Sequence, residues 1–354
     1  MQILAGKSES NLEQRVIDRI NSSYLIERKS SEIFNLEETL PITATPEVKY
    51  IADQFLKNKS IDIKRDGETA GWDKFWAQEM AAAMAAIAAS GGTYQTYLPG
   101  RFLHYDLLAY NLLSIFNSYR GTSIEGKAIL ESGSGSGLSL VRLAQKGALV
   151  TGLDWSIMAL QFSEYLAHHY AVSDKVNLVH GDYFNAEFDD GAFDIVYNAG
   201  VFEHLNGHQP NELLREMIRI AKPSGYIVIA IPNENSPFYK RFKQKESATR
   251  KNFPELIGIP VEHSRYHLDL RKIMEDASLR IIKEDGLLVA PSSPLQIGDI
   301  AKTDLEIFET YLPKDKTLGV ESKIAIWRGL ELINSSDFRI RYGWSRYCVG
   351  QKVA

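Results

Sequence analysis

Apolar positions along the chain change period once. Within residues 1–120, Leu12–Ile20, Glu47–Leu56 (after Pro46) and Phe102–Phe116 carry apolar residues at helical spacing, so each predicts a helix. Trp72, Phe75 and Trp76 lead into an alanine-rich run, Met80 to Ala89, which Ser90-Gly91-Gly92 ends as a helix stop. From Lys127 onward, short apolar runs alternate with amphipathic stretches. Strands are expected at Ala128–Leu130, Ala148–Leu153, Val176–Val179, Phe193–Tyr197 and Tyr226–Ile231, and helices at Leu138–Lys146, Ser156–Tyr170 and Glu212–Ala221. This β-α-β alternation predicts an α/β fold: a doubly wound, mostly parallel sheet with helices on both faces and right-handed crossovers. Residues 234–265 read as a polar lid or loop, Leu268–Ala277 as a helix, Arg280–Val289 as a strand, Pro291–Asn334 as a helical insert and Phe338–Val349 as a final strand. The expected organisation is therefore a helical region over 1–120 (lid or dimerisation element), a core over 121–290, an insert over 291–335 and a last core strand within 336–354.

Composition narrows the class. Hydrophobic residues make up 44% and charged residues 24% of 354 residues, the balance of a globular protein. The net charge is −5 and no dense basic tract is present, which argues against nucleic acid held by phosphate neutralisation. Met1 to Ser10 lacks the basic start and apolar run of a signal peptide, and Met80–Ala89 is far shorter than the ~20 residues that span a bilayer. A cytoplasmic location without membrane attachment is the expectation. Cys348 is the single cysteine, so neither an intrachain disulfide nor a cysteine metal cluster can form.

The informative segment is Glu131-Ser132-Gly133-Ser134-Gly135-Ser136-Gly137-Leu138, an apolar strand running into glycine at every second position and then a helix. Glycine permits positive φ and lets backbone approach a ligand. In open α/β sheets ligands bind beyond the carboxyl ends of the strands. A dinucleotide fingerprint needs a third glycine where Leu138 or Leu140 stands, and a phosphate-binding loop needs Gly-Lys-Ser/Thr; both are absent.

The spacing Glu131-x-Gly133-x-Gly135-x-Gly137 resembles the first motif of the class I S-adenosylmethionine-dependent methyltransferases. Further landmarks follow in order: Gly152-Leu153-Asp154-Trp155-Ser156, Gly181-Asp182-Tyr183, Phe193 to Ala199, and Ala221 to Tyr226. The resemblance covers roughly residues 125–290. It implies S-adenosylmethionine as cofactor, with the three glycines along its amino-acid part and Glu131 near its ammonium group. Asp154 would hold the ribose hydroxyls and Asp182 the adenine amino group; Tyr183, Trp155 and Asn198 would complete the cofactor site. For Asp154 a helix N-cap, for Asp182 a turn former and for Tyr183 plain packing are the rival readings.

Methyl transfer from a sulfonium is an in-line displacement, and a base is needed only if the acceptor loses a proton. Glu203 and His204, after strand four, are the first candidates for that role, with loop ordering as the alternative reading. His263, Tyr266 and His267 form a second polar group for catalysis or acceptor contact; their spacing does not match a zinc motif, and no metal is expected. Trp76 and Tyr105 are candidates to line the acceptor pocket, with core packing as the competing role. An enclosed pocket and an acidic chain favour a small-molecule acceptor, through O, N, S or C, over nucleic acid; a homodimer is left open. The rivals are an RNA- or protein-modifying methyltransferase and a non-catalytic cofactor-binding module.

Overall fold

A computed structural model describes residues 71–77, 79–80, 83, 112, 123–236, 239–240, 243, 268–287 and 335–353. Most of the N-terminal helical region, the 234–265 lid, the 291–334 insert and the candidates Tyr105, His263, Tyr266 and His267 lie outside these residues. Residues 71–77 are helical. In chain order the core then runs β1 (Ala128–Ser132), α1 (Leu138–Ala144), β2 (Leu149–Asp154), α2 (Ile157–His169), β3 (Val176–His180), β4 (Phe193–Ala199), α3 (Gln209–Ile220), β5 (Ala221–Pro232), α4 (Leu270–Asp276), β6 (Leu279–Leu287), α5 (Ser336–Tyr342) and β7 (Ser345–Lys352). The seven strands form one sheet in the order β3-β2-β1-β4-β5-β7-β6. The first five pair in parallel, while β7 lies antiparallel between β5 and β6. This is the doubly wound, mostly parallel α/β sheet that the alternating pattern predicts.

Alternation within each strand builds two cores. Ile129, Val150, Ile195 and Val228 face α1 and α2 residues such as Leu140, Phe162 and Leu166. Their neighbours Leu130, Leu153, Val196 and Ile229 face Leu213 and Met217 of α3 and Leu270 and Met274 of α4. Both faces are covered, which is why these strands read as near-continuous apolar runs rather than alternating ones. Helix starts follow from local chemistry. Ser156 Oγ accepts from Ala159 N–H, Asp269 from Lys272 N–H and Ser335 from Phe338 N–H. α3 begins with Pro210 in its first turn, earlier than Glu212, where the apolar pattern places it.

Two expectations change. Phe338–Val349 is not a single strand. Ser335 caps a helix that brings Phe338 against Tyr342, four residues on, before β7 begins at Ser345. β5 starts at Ala221 rather than Tyr226, with its register interrupted between Phe193 and Ile195 of β4 and Ser224 at φ 58. The turn thus forms an irregular strand start. Cys348 sits in the middle of β7, where burial pushes its thiol up to about 12, so it stays protonated and inert.

Close approach of α5 to β6 depends on Gly286, where an added Cβ would lie 1.9 Å from the carbonyl oxygen of Arg339. The same contact is held by Arg339, whose guanidinium donates to both carboxylate oxygens of the buried Asp285. A backbone carbonyl cannot swing aside as a side chain can. Gly286→Ala is therefore expected to destabilise the fold by about 3 kcal/mol or more, read as a lowered denaturant midpoint.

Candidate functional site

Strand order reverses between β1 and β4, so the loops after their carboxyl ends diverge to opposite faces and leave a crevice. The loop after β1 holds Gly133, Gly135 and Gly137 at φ 76, 52 and 66, conformations that other residues adopt only with strain. Their Cβ directions point at the protein itself: toward the Val201 side chain at Gly133, the Trp76 ring at Gly135 and Ser163 at Gly137. Internal packing therefore accounts for part of the glycine pattern.

The loop's amides matter as much as its glycines. The N–H groups of Gly133 and Ser134 donate to Leu153 O, that of Gly137 to Ser134 O, and that of Gly135 to Asp154 Oδ2. A pyrophosphate is bound through such amides when they are free. Here they are used internally, which agrees with the missing dinucleotide fingerprint. Ser134 itself packs toward Gly152.

Three acids converge beside this loop. Glu131, at the end of β1, is 2% exposed. Its Oε2 lies 2.6 Å from Ser139 Oγ and 2.9 Å from the Tyr197 hydroxyl, which are 2.9 Å from each other. Both hydroxyls donate to Oε2, so Glu131 is the acceptor of this cluster. Burial pushes the carboxyl up to about 8, against the lowering effect of the Ser139 and Tyr197 hydrogen bonds. Asp154, at the end of β2, is pushed up to about 6 by burial despite accepting from the N–H groups of Ser156 and Gly135. Asp73, from helical residues 71–77, is 2% exposed and accepts from Ser156 Oγ at 2.5 Å and Met158 N–H at 3.2 Å. Among the described residues neither Lys nor Arg contributes to the electrostatics of Glu131 or Asp154.

The other candidates are placed as follows. Asn198, at the end of β4, is fully buried, and its Nδ2 donates to Ser132 O. The turn Phe202–His204 follows β4, with His204 Nε2 4.0 Å from Glu203 Oε1 and its ring edge-on to Trp72 at 5.0 Å. Trp76 packs on Phe75 and Phe162 as well as over Gly135. Trp76 is therefore at the glycine loop and also part of an aromatic cluster. Asp182 Oδ1 accepts from Phe184 N–H, an Asx-type turn. Tyr183 is 4% exposed, with its ring against Trp155 at 4.7 Å. Asp73, Ser139, Tyr197 and Val201 were not foreseen as site residues. Only Tyr197 carried a signal, as a hydroxyl in the buried stretch of β4, in register with Glu131. Among the described residues no His, Cys, Asp and Glu group is arranged to hold a metal.

Comparison with known proteins agrees with this arrangement. Residues 130–229 match the family described as "Methyltransferase domain". Demethylmenaquinone methyltransferase of Clavibacter sepedonicus is 36% identical over 106 residues, 30% of this chain and 41% of that protein. Norajmaline N-methyltransferase of Rauvolfia serpentina is 32% identical over 150 residues, 42% of this chain and 51% of that protein. Ubiquinone biosynthesis O-methyltransferase of Alkalilimnicola ehrlichii is 31% identical over 116 residues, 33% of this chain and 46% of that protein. The chain thus spans about half, or less, of the length of these relatives. The glycine loop, the strand-end acids and the reversal of strand order all fall within residues 130–229, the segment that matches the methyltransferase domain.

Proposed function

We propose that this chain binds S-adenosylmethionine at the carboxyl ends of β1 and β2 and transfers its methyl group to a small-molecule acceptor. The observation that carries the reading is the pairing of Glu131 and Asp154, buried acceptors with raised pKa values flanking a loop whose amides are already engaged. Such a site suits a ligand rich in donors and positive charge and free of phosphate. S-adenosylmethionine fits, with an ammonium group, two ribose hydroxyls and a sulfonium. When bound, it supplies an electrophilic methyl group.

The chain's own residues would do the rest. Asp154 spends one lone pair of each carboxylate oxygen on Ser156 and Gly135 and keeps others for the ribose hydroxyls. Glu131 would receive the ammonium group. His204, oriented by Glu203 and by the edge of Trp72, would take the acceptor's proton where one must leave. The relatives are named for demethylmenaquinone, for N-methylation of norajmaline and for O-methylation in ubiquinone biosynthesis, which supports a small organic acceptor here. The net charge of −5 favours the same class over nucleic acid. No helix among the described residues is long and apolar enough to cross a membrane.

The test is transfer of label from methyl-labelled S-adenosylmethionine to a panel of phenols, quinols and secondary amines. Label is expected in at least one acceptor class, and His204→Gln should lower kcat on phenols by about 100-fold with KM little changed. Binding of the cofactor without transfer to any of these classes would contradict the acceptor assignment.

A further inference from the structure

Asp73 lies outside the segment that matches the methyltransferase family, yet it is bonded to the turn that carries the ribose acid. Its Oδ1 accepts from Ser156 Oγ and Met158 N–H, across 83 and 85 residues of sequence. Ser156 in turn donates its N–H to Asp154 Oδ1 at 2.8 Å and caps α2 through Ala159 N–H. Asp73 and Asp154 are therefore linked through one buried serine, and the charge of Asp73 acts on Asp154. Trp76, on the same helical stretch, lies over Gly135. The other oxygen, Asp73 Oδ2, is buried and has no hydrogen-bond partner among the described residues. An unmatched buried acceptor costs free energy, more so on a carboxylate beside a second one. The first turn of α2 offsets this at Oδ1; nothing described offsets it at Oδ2.

We propose that Asp73 is a cofactor-binding residue supplied from upstream of the methyltransferase domain, its Oδ2 accepting a hydrogen bond from a ribose hydroxyl of the bound nucleoside beside Asp154. This rests on the reading of the site given above. Two acids would then share the sugar, and ligand binding would seat helical residues 71–77 on the glycine loop.

Asp73→Asn separates this role from a structural one. The amide keeps one oxygen for Ser156 and Met158 but puts a donor where Oδ2 accepts. Wild type, Asp73→Asn and Asp73→Ala are titrated calorimetrically with S-adenosylhomocysteine and with 5′-methylthioadenosine, which lacks the amino-acid part. The expected result for Asp73→Asn is a melting temperature close to wild type, with both ligands weakened by roughly 10- to 100-fold, the loss of one charge-assisted hydrogen bond. Affinity within about twofold of wild type, with only Asp73→Ala affected, would overturn the proposal. Weakening of S-adenosylhomocysteine alone would overturn the assignment to the sugar. Should Asp73→Asn fail to fold, hydrogen exchange of the wild-type chain decides: residues 71–77 gain protection with S-adenosylhomocysteine if the proposal holds, and unchanged protection refutes it. Failure of the wild type itself to bind would instead overturn the underlying reading and this inference with it.

Discussion

Asp154→Ala will weaken S-adenosylhomocysteine binding by about 100-fold or more while the chain still folds. Two hydroxyls donating to a carboxylate contribute about 1.5–3 kcal/mol each, and alanine removes both acceptors. The effect on folding is smaller because two contributions oppose each other. The N–H groups of Gly135 and Ser156 lose their buried partner, at about 1–3 kcal/mol each. A carboxyl whose pKa burial has raised to about 6 is removed as well, which relieves a penalty the wild type carries at neutral pH. Titration calorimetry gives the first quantity and thermal melting the second. An affinity within threefold of wild type would remove Asp154 from the site, and a variant that cannot fold would make it a purely structural residue.

Cofactor binding will release close to one proton at pH 7, and the proton will come from Glu131. The carboxyl stands at about 8, raised by burial above its ordinary 4.5, so it is mostly protonated at pH 7. An ammonium group at this carboxyl favours the ionised form and expels the proton. A raised acid binds protons more readily in the folded chain, so its contribution is favourable below about 4.5 and is lost as pH rises toward 8. Stability should therefore decline over that window, while affinity for the cofactor rises with pH until Glu131 is ionised. The groups acting on this pair are Ser139 and Tyr197 at Glu131, and His180 and Asp73 at Asp154. Binding enthalpies measured at pH 7 in phosphate and in Tris differ in proportion to the protons released. A difference of about one proton that disappears in Glu131→Gln is the expected outcome. Equal enthalpies in the two buffers would show that the ligand's positive charge does not reach Glu131.

The parallel core was legible because its signal is local. Strands covered on both faces read as apolar runs, and Glu131, the glycines and Asp154 fall at strand ends where the chain must turn. The departures share a different cause. α5 was hidden because seven residues starting at Ser336 offer too little periodicity to outweigh the β-prone residues that follow. Asp73 was hidden because its meaning lies in Ser156, more than eighty residues away. The glycine spacing predicts backbone that can approach a ligand, whereas Val201, Trp76 and Ser163 occupy its Cβ directions; spacing alone cannot show which neighbour uses the room a glycine leaves. Glu131 is legible in sequence only through a ligand's charge; the Ser139 and Tyr197 hydroxyls that donate to it meet it only once β1, α1 and β4 are assembled.

The most direct measurement is a calorimetric titration of the unmodified chain with S-adenosylhomocysteine and, separately, with NAD. One equivalent of S-adenosylhomocysteine binding saturably, with NAD giving no heat, is the predicted result. Binding of NAD, or no binding of S-adenosylhomocysteine at millimolar concentration, would contradict the assignment of the glycine loop and its two strand-end acids to a sulfonium nucleoside.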